Sequence, residues 1–534
     1  MSIYSQEMLE SIKKIEKTRP DRINKELSKV KEEDKAGLLK EFHPDYNENA
    51  FTTLSVGVNK GDKVPDELAR VLQGKSLINS VTVDLSKIDY DVDVLIIGGG
   101  GAGSSAAIEA KKTGANVLMV TKLRIGDCNT IMAEGGIQGA DKQNDSPVIH
   151  YIDAMGGSRY TSKPDLLKTL VENGPKAIKW LEEMGVLFDK NPDGNMITTH
   201  GGGTSRKRMH ACKDTTGSEI MRVLRDEVIN LKIPVVDFTS AIELILDSDN
   251  KVAGAVLQNM ETGEILIARA KTVIMATGGA GRMHYQNFPT SNHYGATADG
   301  LVLGYRAGAK LIYCDSLQYH PTGAMFPAQI YGALVTEKVR SVGAQVLNSD
   351  GEAFMFPLET RDIATSLIIR ECTKNKKGVK TDDGYGVWLD TPLIEIIGGE
   401  GTIEKKIPNM MRMYSKYGID IRKEPILIYP TLHYQNGGIE INPDGQTSVK
   451  NLYVAGELAG GIHGKNRLMG NSLLDCIVFG RICGQNAGEK SKYIVLKNLT
   501  IDHVKKFNEE IKLSGYKDGI SSPKLLPNYA KNHK

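Results

Sequence analysis

Cysteine is scarce in this chain, and no two of its cysteines are spaced to hold a metal. The six cysteines are Cys128, Cys212, Cys314, Cys372, Cys476 and Cys483. None forms a CxxC pair or a ferredoxin-type run, which indicates that the chain carries no zinc ion and no iron–sulfur cluster of its own. Scattered thiols are typical of the reducing cytoplasm, so we expect a cytoplasmic protein.

Long apolar runs and a strong charge of one sign are also missing. No apolar run approaches the roughly 20 residues that a membrane-crossing helix needs. The first residues, MSIYSQEMLESIKKIEK, are amphipathic and charged, without the apolar core of a signal peptide. A net charge of +2 gives no field that attracts nucleic acid. We therefore predict a soluble protein that does not itself span a membrane and does not bind nucleic acid.

Glycine, in contrast, is abundant, and its densest cluster follows a predicted strand. The segment VLIIGGGGAGSSAAIEA runs from Val94 to Ala110, in a chain with 56 glycines. Gly98, Gly100 and Gly103 have the GxGxxG spacing, after an apolar run typical of a buried strand and before a helix-forming run. Such a loop turns backbone N–H groups and a helix N-terminus towards a pyrophosphate. The segment therefore predicts a dinucleotide-binding βαβ unit.

The end of the second strand of this unit argues against NAD. The chain there reads VLMVTK, which places Thr121 and Lys122 where an NAD site needs an acidic residue for the ribose. The dinucleotide is therefore expected to be a different one.

Two further apolar strands also end in glycine turns, KTVIMATGG at 271–279 and NLYVAGE at 451–457. We predict one nucleotide-binding domain assembled from residues 89–312 and 431–490. Residues 313–430 are predicted to be an inserted α+β module, and residues 491–534 a short C-terminal tail.

Residues 1–88 differ from the rest of the chain. Met8, Ile12 and Ile15 recur at helical spacing, and a charged stretch follows. We predict a small helical extension that packs on the main body or on a partner. A flexible leader that contains two helices is an equally compatible interpretation.

Seven further motifs follow the glycine loop along the chain. They are MAEGGIQGA (132–140), ATGGAGR (276–282), SLQYHPTGAM (316–325), TEKVR (336–340), PTLHYQNGG (430–438), GELAGGIHGKNR (456–467) and GNSL (470–473). In this order they resemble the flavoprotein subunit of the succinate dehydrogenase/fumarate reductase family, which includes L-aspartate oxidase. The resemblance covers about residues 91–486 and implies an α/β fold: a Rossmann-like FAD-binding domain with an inserted α+β capping domain, here with a small N-terminal helical extension.

The same resemblance implies that the dinucleotide is FAD. The family holds FAD with the glycine loop, the AEGG turn, an aspartate in a T-x-D-G segment, and a GE pair followed later by N-S-L. A lysine after the second strand is normal there, and Lys122 would lie beside the adenosine ribose. The implied cofactor-binding residues are Gly98, Gly100, Gly101, Ala102, Gly103, Lys122, Asn129, Thr130, Ala133, Glu134, Gly135, Gly136, Asp299, Glu457, Ser472 and Leu473.

The implied substrate is a four-carbon dicarboxylate, fumarate or succinate. Arginine and histidine supply charge-assisted hydrogen bonds to its two carboxylates. By resemblance, His433 and Arg467 hold one carboxylate, and His320, Thr336 and Glu337 lie around the other. The family's proton donor corresponds to Arg361, with Glu337 and Arg340 as a proton relay. The implied catalytic residues are therefore Arg361, Glu337, Arg340, His320, Thr336, His433 and Arg467.

One position departs from the respiratory members of the family. They attach FAD covalently through a histidine, where this chain has Asn129 in DCNTIMAEGG. An amide cannot form that bond, so we expect non-covalent FAD, as in aspartate oxidase. This loss is expected to lower the flavin potential and to favour fumarate reduction.

Three functions remain open at this point. The first is a fumarate reductase flavoprotein that receives electrons from an iron–sulfur or thiol-linked partner subunit, through which it would associate with a membrane. The second is L-aspartate oxidase, which the segment SRKRMHACKDTTG (205–217) also suits. The third is a non-catalytic flavin electron-transfer subunit, against which the intact set of arginines and histidines argues.

Overall fold

A computed structural model of the chain describes residues 3–23 and 25–529. Residues 1, 2 and 24 of the predicted extension and residues 530–534 of the predicted tail lie outside the described residues. The α-helices are α1 (Gln6–Ile23), α2 (Glu32–Phe42), α3 (Asp66–Leu72), α4 (Gly101–Lys112), α5 (Pro147–Gly157), α6 (Pro164–Glu183), α7 (Thr216–Asn230), α8 (Asp299–Arg306), α9 (Lys338–Ser341), α10 (Arg361–Thr373), α11 (Pro392–Gly398), α12 (Thr402–Lys406), α13 (Pro408–Ser415), α14 (Asn471–Ser491) and α15 (Asp502–Ser514).

The strands are distributed over five sheets. They are β1 (Phe51–Thr53), β2 (Lys63–Pro65), β3 (Tyr90–Ile97), β4 (Val117–Val120), β5 (Ile137–Gln138), β6 (Thr198–Thr199), β7 (Met209–His210), β8 (Val235–Val236), β9 (Thr239–Asp247), β10 (Val252–Asn259), β11 (Ile265–Met275), β12 (Leu311–Ile312), β13 (Leu317–Ala324), β14 (Gln345–Leu347), β15 (Val379–Thr381), β16 (Gly384–Asp390), β17 (Ile426–Gln435), β18 (Gly438–Glu440), β19 (Leu452–Val454), β20 (Ala459–Gly460) and β21 (Leu499–Thr500).

The largest sheet has the order β21-β9-β10-β11-β3-β4-β8, with β19 beside β11. Strands β11, β3, β4, β8 and β19 pair in parallel, whereas β10, β9 and β21 add antiparallel pairs at one side. The predicted strand–glycine–helix–strand unit is β3, α4 and β4. Because β3, β11 and β19 are neighbours and all end at one edge, the three predicted glycine turns meet there. This confirms the α/β fold with a nucleotide-binding core.

Helix α14 packs along α4 through a row of small residues. Gly480, Gly484 and Gly488 repeat every four residues, and a Cβ atom on Gly484 would lie 2.2 Å from the carbonyl oxygen of Ala106. On Gly480 it would lie 2.6 Å from the carbonyl oxygen of Ala102. Only glycine permits this close approach of two helix backbones. The contact fixes α14 in parallel with α4, so both helix N-termini point to the same edge of the sheet.

A second sheet, of order β13-β17-β16-β14 with β15 beside β16, is antiparallel throughout. Helix α10 packs against β13, β16 and β17. The predicted boundary after Pro430 falls inside β17, which continues to Gln435. His433 is therefore carried by the same sheet as His320, which lies on β13.

Residues 3–88 are divided among three hydrophobic cores, the smallest of which contains Ile78 beside Ile242 and Val256. Side chains of α1 and α2, including Ile15 and Leu39, belong to the core beneath the antiparallel sheet, whereas Leu54, Leu68 and Leu72 belong to the nucleotide-binding core. Arg22 forms a buried ion pair with Asp390 at 2.8 Å. The segment is therefore part of the folded body rather than a leader, and it contains the β1–β2 hairpin as well as helices.

No helix in the described ranges is long and apolar enough to cross a membrane. Residues 3–23 and 25–529 also contain no group of three or more His, Cys, Asp or Glu side chains that could hold a metal ion.

Candidate active site

The glycine loop between β3 and α4 is shaped by close backbone contacts. Gly98 has a φ of +119°, and a Cβ atom there would lie 2.3 Å from the carbonyl oxygen of Ala276 at the end of β11. A Cβ on Gly103 would lie 1.9 Å from the carbonyl oxygen of Gly98. Both separations are far below contact distance, so any larger residue would displace the loop. Gly103 therefore shapes the turn from inside and does not line the cavity beside it.

One long cavity runs from this loop to the antiparallel sheet. All the other predicted cofactor-binding residues line it: Gly98, Gly100, Gly101, Ala102, Lys122, Asn129, Thr130, Ala133, Glu134, Gly135, Gly136, Asp299, Glu457, Ser472 and Leu473. The first residues of α4 and of α14 are among them, so two helix N-termini face the same space. Helix N-termini carry partial positive charge and free N–H groups, which suit a pyrophosphate. The glycine cradle and the paired helix ends fit a bound FAD.

Lys122 lies at the end of β4, where a Rossmann-like site receives the ribose. Its ammonium group donates to Asp299 at 2.5 Å, to the hydroxyl of Thr297 at 2.9 Å and to the carbonyl oxygen of Gly295 at 2.8 Å. The lysine charge is thus paired with a carboxylate in the wall of the cavity. It orients Asp299 rather than standing as a free cation.

Asn129 is held rigidly in the middle of the cavity wall. Its side-chain amide donates to Glu457 at 3.0 Å and to Asn292 at 2.8 Å, and its oxygen accepts from the N–H of His293 at 2.5 Å. Burial raises the pKa of Glu457, and the hydrogen bonds from Gln435 and Asn129 act against this rise. The residue at the family's attachment position is therefore a hydrogen-bonding amide with no nucleophilic nitrogen.

Glu134 brings a second buried carboxyl group to the cavity. Burial, together with the nearby Asp214, raises its pKa well above the ordinary value. One of its oxygens accepts a hydrogen bond from the side-chain amide of Asn409 at 3.0 Å. Burial therefore favours the protonated, uncharged form of Glu134 more than it is favoured in an exposed carboxyl group.

The far end of the cavity collects the predicted substrate residues. His320, Thr336, Glu337, Arg361, His433 and Arg467 line it, and Arg340 lies immediately behind Glu337 without reaching the cavity. The chain brings these residues from β13, α10, β17 and the loops before α9 and α14. Residues up to about 150 positions apart are therefore assembled at one point.

Gln318 joins the two arginines of this end, and sequence reasoning missed it. Its side-chain oxygen accepts from Arg361 at 2.9 Å and from Arg467 at 2.7 Å, while its amide nitrogen donates to the main-chain oxygen of Arg467 at 2.7 Å. Gln318 is 2% exposed. Its position in the QYHPTG motif, two residues before His320, could have drawn attention to it. An uncharged amide side chain does not by itself indicate a binding or catalytic role in a sequence.

Arg340, Glu337 and Arg361 form a row that leads into the cavity. One carboxylate oxygen of Glu337 lies 3.1 Å from Nε of Arg361 and 3.5 Å from Arg340. The other oxygen accepts from the N–H of Gly202 at 2.7 Å. Burial raises the pKa of Glu337, but Arg361 and Arg340 outweigh it, and the net pKa is below the ordinary value. Glu337 is therefore an anion between two cations, as a proton relay requires.

The two histidines lie side by side rather than at opposite ends. Their ring centroids are 5.1 Å apart, because β13 and β17 are neighbouring strands. Nδ1 of His433 is 2.7 Å from the hydroxyl of Ser291, and Nδ1 of His320 contacts Thr322. Burial and then Arg361 hold both pKa values well below the ordinary value. Both rings are therefore neutral at pH 7, and they can donate or accept hydrogen bonds without adding charge.

Burial also lowers the pKa values of the three guanidinium groups. The pKa of Arg467 falls to about 9, because burial and then the neighbouring Arg361 disfavour its cation. The pKa of Arg361 is lowered by burial and only partly restored by Glu337. Glu337 pairs with Arg340 and Arg361, and Glu457 also acts on Arg467 but forms no ion pair with it among the described residues. The group of Arg340, Arg361, Arg467 and Glu337 therefore carries an excess of two positive charges. A buried excess of this kind calls for an anion.

Comparison with known proteins places this geometry in a family. A sequence profile of the FAD binding domain family matches residues 93–473. The chain is 38% identical to a fumarate reductase (CoM/CoB) subunit from Methanothermobacter marburgensis, over 75% of this chain and 73% of that one. It is 32% identical to an L-aspartate oxidase of Streptomyces coelicolor, over 72% of this chain and 67% of that one. A solved quinol fumarate reductase of E. coli superposes with a TM-score of 0.72 and 29% identity, over 79% of this chain and 74% of that chain.

Proposed function

Since the chain belongs to the FAD-dependent succinate dehydrogenase/fumarate reductase flavoprotein family, we propose that it reduces fumarate to succinate. It is an oxidoreductase of the fumarate reductase/succinate dehydrogenase type. The direction, the substrate and the partner are our proposals. The observation that carries the proposed substrate class, a dicarboxylate, is the buried excess of two positive charges at the end of the FAD cavity.

That excess matches the two negative charges of fumarate. Arg467 and Arg361 meet at Gln318 and can each turn an N–H towards a carboxylate, as charge-assisted hydrogen bonds require. The neutral His320 and His433 lie side by side and offer two more polar contacts, and Thr336 lines the same cavity. Clamping both carboxylates withdraws electrons from the alkene and makes its carbons electrophilic.

Arg361 is the proposed proton donor. Reduced FAD, held by the glycine loop and the two helix N-termini, would supply the hydride for one alkene carbon. Arg361 would hold the proton for the other carbon, and the two transfers together convert fumarate to succinate. A guanidinium group ordinarily holds its proton too tightly for this role. Burial lowers the pKa of Arg361 and so reduces the cost. Glu337 and Arg340 can then return the proton along the row that ends at Arg361.

The same charge argument disfavours L-aspartate as the substrate. Aspartate carries an ammonium group besides its two carboxylates, and a buried cationic site repels it. Glu337 is the carboxylate in the group of buried charges, but Gly202, Arg340 and Arg361 already engage its oxygens. L-aspartate oxidase remains the alternative because the L-aspartate oxidase of Streptomyces coelicolor matches 72% of this chain.

Non-covalent FAD is also part of this proposal. Asn129 is fixed by Asn292, His293 and Glu457, and an amide cannot bond to the flavin. Electrons would come from an iron–sulfur or thiol-linked partner protein. The relative from Methanothermobacter marburgensis supports a partner, because its name describes it as one subunit of a fumarate reductase.

The test is anaerobic fumarate reduction by the purified, FAD-loaded chain with a reduced viologen as donor. We expect fumarate-dependent viologen oxidation that is lost in Arg361→Ala. No turnover with fumarate, but imine release from L-aspartate, would favour the oxidase. Full activity in Arg361→Ala would favour a protein that carries electrons without performing the chemistry. Acid precipitation should leave the flavin in the supernatant, and flavin in the pellet would contradict non-covalent binding.

A further inference from the structure

Residues 522–529 run along the outer side of the FAD cavity, and we call them the 522–529 segment. Ser522 anchors its start in the protein interior. The Ser522 hydroxyl donates to the carbonyl oxygen of Val71 at 2.8 Å and accepts from the buried Arg306 at 2.8 Å. Arg306 is itself paired with Glu243 at 2.6 Å, with both side chains fully buried. The beginning of the segment is therefore fixed to the nucleotide-binding core.

Three residues further on, Leu525 contacts the two charged residues at the ribose end of the cavity. Its N–H donates to Asp299 at 3.1 Å, and its carbonyl oxygen accepts from Thr297 at 3.0 Å and also from Lys122. Leu525 has a φ of +61°, a left-handed conformation that is unfavourable for leucine. Hydrogen bonds on both sides of the residue hold it there, and strain of this kind is maintained only where the surroundings determine the conformation.

The end of the segment is fixed by a second anchor. The hydroxyl of Tyr529 lies 3.0 Å from Arg282 and 2.8 Å from Nε2 of His284. The carbonyl oxygen of Pro527 accepts from the hydroxyl of Tyr294 at 3.0 Å. The segment is thus held at Ser522 and at Tyr529, with Leu525 between them against the cavity wall.

We infer that the 522–529 segment completes the FAD site and retains the bound cofactor. Lys122 and Asp299 line the cavity where β4 ends and where a dinucleotide places its ribose. The main chain of Leu525 makes one polar contact with Asp299 and one with Lys122, and these contacts set how the two side chains face the cavity. The inference rests on the proposed non-covalent binding, because a flavin without a covalent bond depends on the walls of its site for retention.

A matched pair of substitutions at Leu525 separates its main chain from its side chain. Leu525→Pro removes the N–H that Asp299 accepts and forbids a φ of +61°, because proline is restricted to about −65°. Leu525→Gly keeps the N–H and the carbonyl and relieves the unfavourable conformation. We expect Leu525→Pro to release FAD at least about tenfold faster than the parent chain, and Leu525→Gly to stay within about twofold of it.

The measurement is the rate at which free FAD fluorescence appears after the holoprotein is diluted. If Leu525→Pro fails to fold, as judged by its thermal unfolding, a chain that ends at Pro523 is compared with one that ends at Tyr529. The first loses the contacts of Leu525 and Tyr529, and the second keeps them. The inference would be overturned if Leu525→Pro and Leu525→Gly released FAD at equal rates, and if the chains that end at Pro523 and at Tyr529 did so too.

Acid precipitation of the parent chain is done first, so that two failures can be told apart. Flavin in the pellet would contradict non-covalent binding and, with it, the retention role of the segment. Flavin in the supernatant with unchanged release rates would overturn the retention role alone. Fumarate turnover is not the readout, so a failure of the proposed reaction leaves the result intact.

Discussion

The two ends of the FAD cavity are built on different physical principles. At the nucleotide end, glycines, backbone N–H groups and helix N-termini form the surface, and the charged side chains Lys122 and Asp299 are paired with each other. At the substrate end, the charged Glu337, Arg361 and Arg467 line the cavity beside the uncharged His320, Thr336 and His433. With Arg340 behind them, positive charge in this group exceeds negative charge by two. The first end recognises its ligand by close fit, and the second recognises it by charge. Substitutions at the nucleotide end should therefore weaken FAD binding, whereas substitutions at the substrate end should weaken substrate binding or turnover.

The largest effect is expected at the substrate end, from Arg361→Ala. This change removes the proposed proton donor, and loss of a general acid slows a reaction by about 10²–10⁴-fold. FAD content should stay unchanged because Arg361 lies at the opposite end from the glycine loop. Stopped-flow reoxidation of the reduced enzyme by fumarate measures the step. A rate within tenfold of the parent enzyme would exclude Arg361 as the donor.

At the nucleotide end, Gly103→Ala should disturb the fit between the glycine loop and FAD without changing any charge. The added methyl group would lie 1.9 Å from the carbonyl oxygen of Gly98, and such overpacking costs about 1–3 kcal/mol. FAD affinity is expected to fall by about 10–100-fold, measured by titration of the apoprotein. Gly156→Ala is the control, since a Cβ there meets no atom within 4 Å among the described residues. Equal affinity in both variants would mean that the loop accommodates the methyl group.

Substitution of Gln318 separates geometry from charge at the substrate end. Gln318→Leu removes the oxygen shared by Arg361 and Arg467, and a hydrogen bond to a charged group contributes about 1.5–3 kcal/mol. We expect KM for fumarate to rise about tenfold or more. Gln318→Glu keeps the oxygen but loses the amide donor to the main-chain oxygen of Arg467 and lowers the excess charge from two to one, so KM should rise. A normal KM in Gln318→Glu would show that charge balance does not govern binding.

The smallest effect is a pH dependence of a few-fold in substrate binding. The pKa values of His320 and His433 lie well below the ordinary value, so neither ring titrates between pH 6 and 8. The pKa of Arg467 is about 9, and its cation is lost as the pH rises through that value. The inhibition constant of succinate should therefore be flat from pH 6 to 8 and rise above pH 9. A step near pH 6.5 would instead indicate a titrating histidine.

The parts of the site that sequence could predict are those that carry a motif. The glycine loop, Asn129, the TEKVR segment and Arg361 occur in short, distinctive strings, and the predicted fold class is confirmed. The charged residues stood out because all of them occur in strings that resemble the family's motifs, in the same order along the chain. Many of these residues reach one cavity because they follow the end of a strand or begin a helix, whereas His320 and His433 lie within the neighbouring strands β13 and β17.

The remaining parts depend on contacts that no local pattern records. Gln318 acts by accepting hydrogen bonds from two arginines, one 43 and the other 149 positions away in the sequence. Leu525 meets Lys122 across 403 positions, and no turn or helix signal in the sequence indicates that contact. The division of residues 3–88 among three hydrophobic cores also follows from tertiary packing, since helical spacing shows that a face is apolar but not what covers it. The glycine row of α14 was visible as a four-residue repeat, yet its partner helix was not.

The most direct test of the charge account is a comparison of three ligands by equilibrium binding to the oxidised, FAD-loaded protein. Fumarate, crotonate and L-aspartate differ in charge but little in size, and changes in the flavin absorbance report their binding. An excess of two positive charges predicts that fumarate binds about 10–100-fold more tightly than the monocarboxylate crotonate, and that aspartate binds more weakly than fumarate. Crotonate or aspartate binding as tightly as fumarate would contradict the claim that this end of the cavity selects a dianion by its charge.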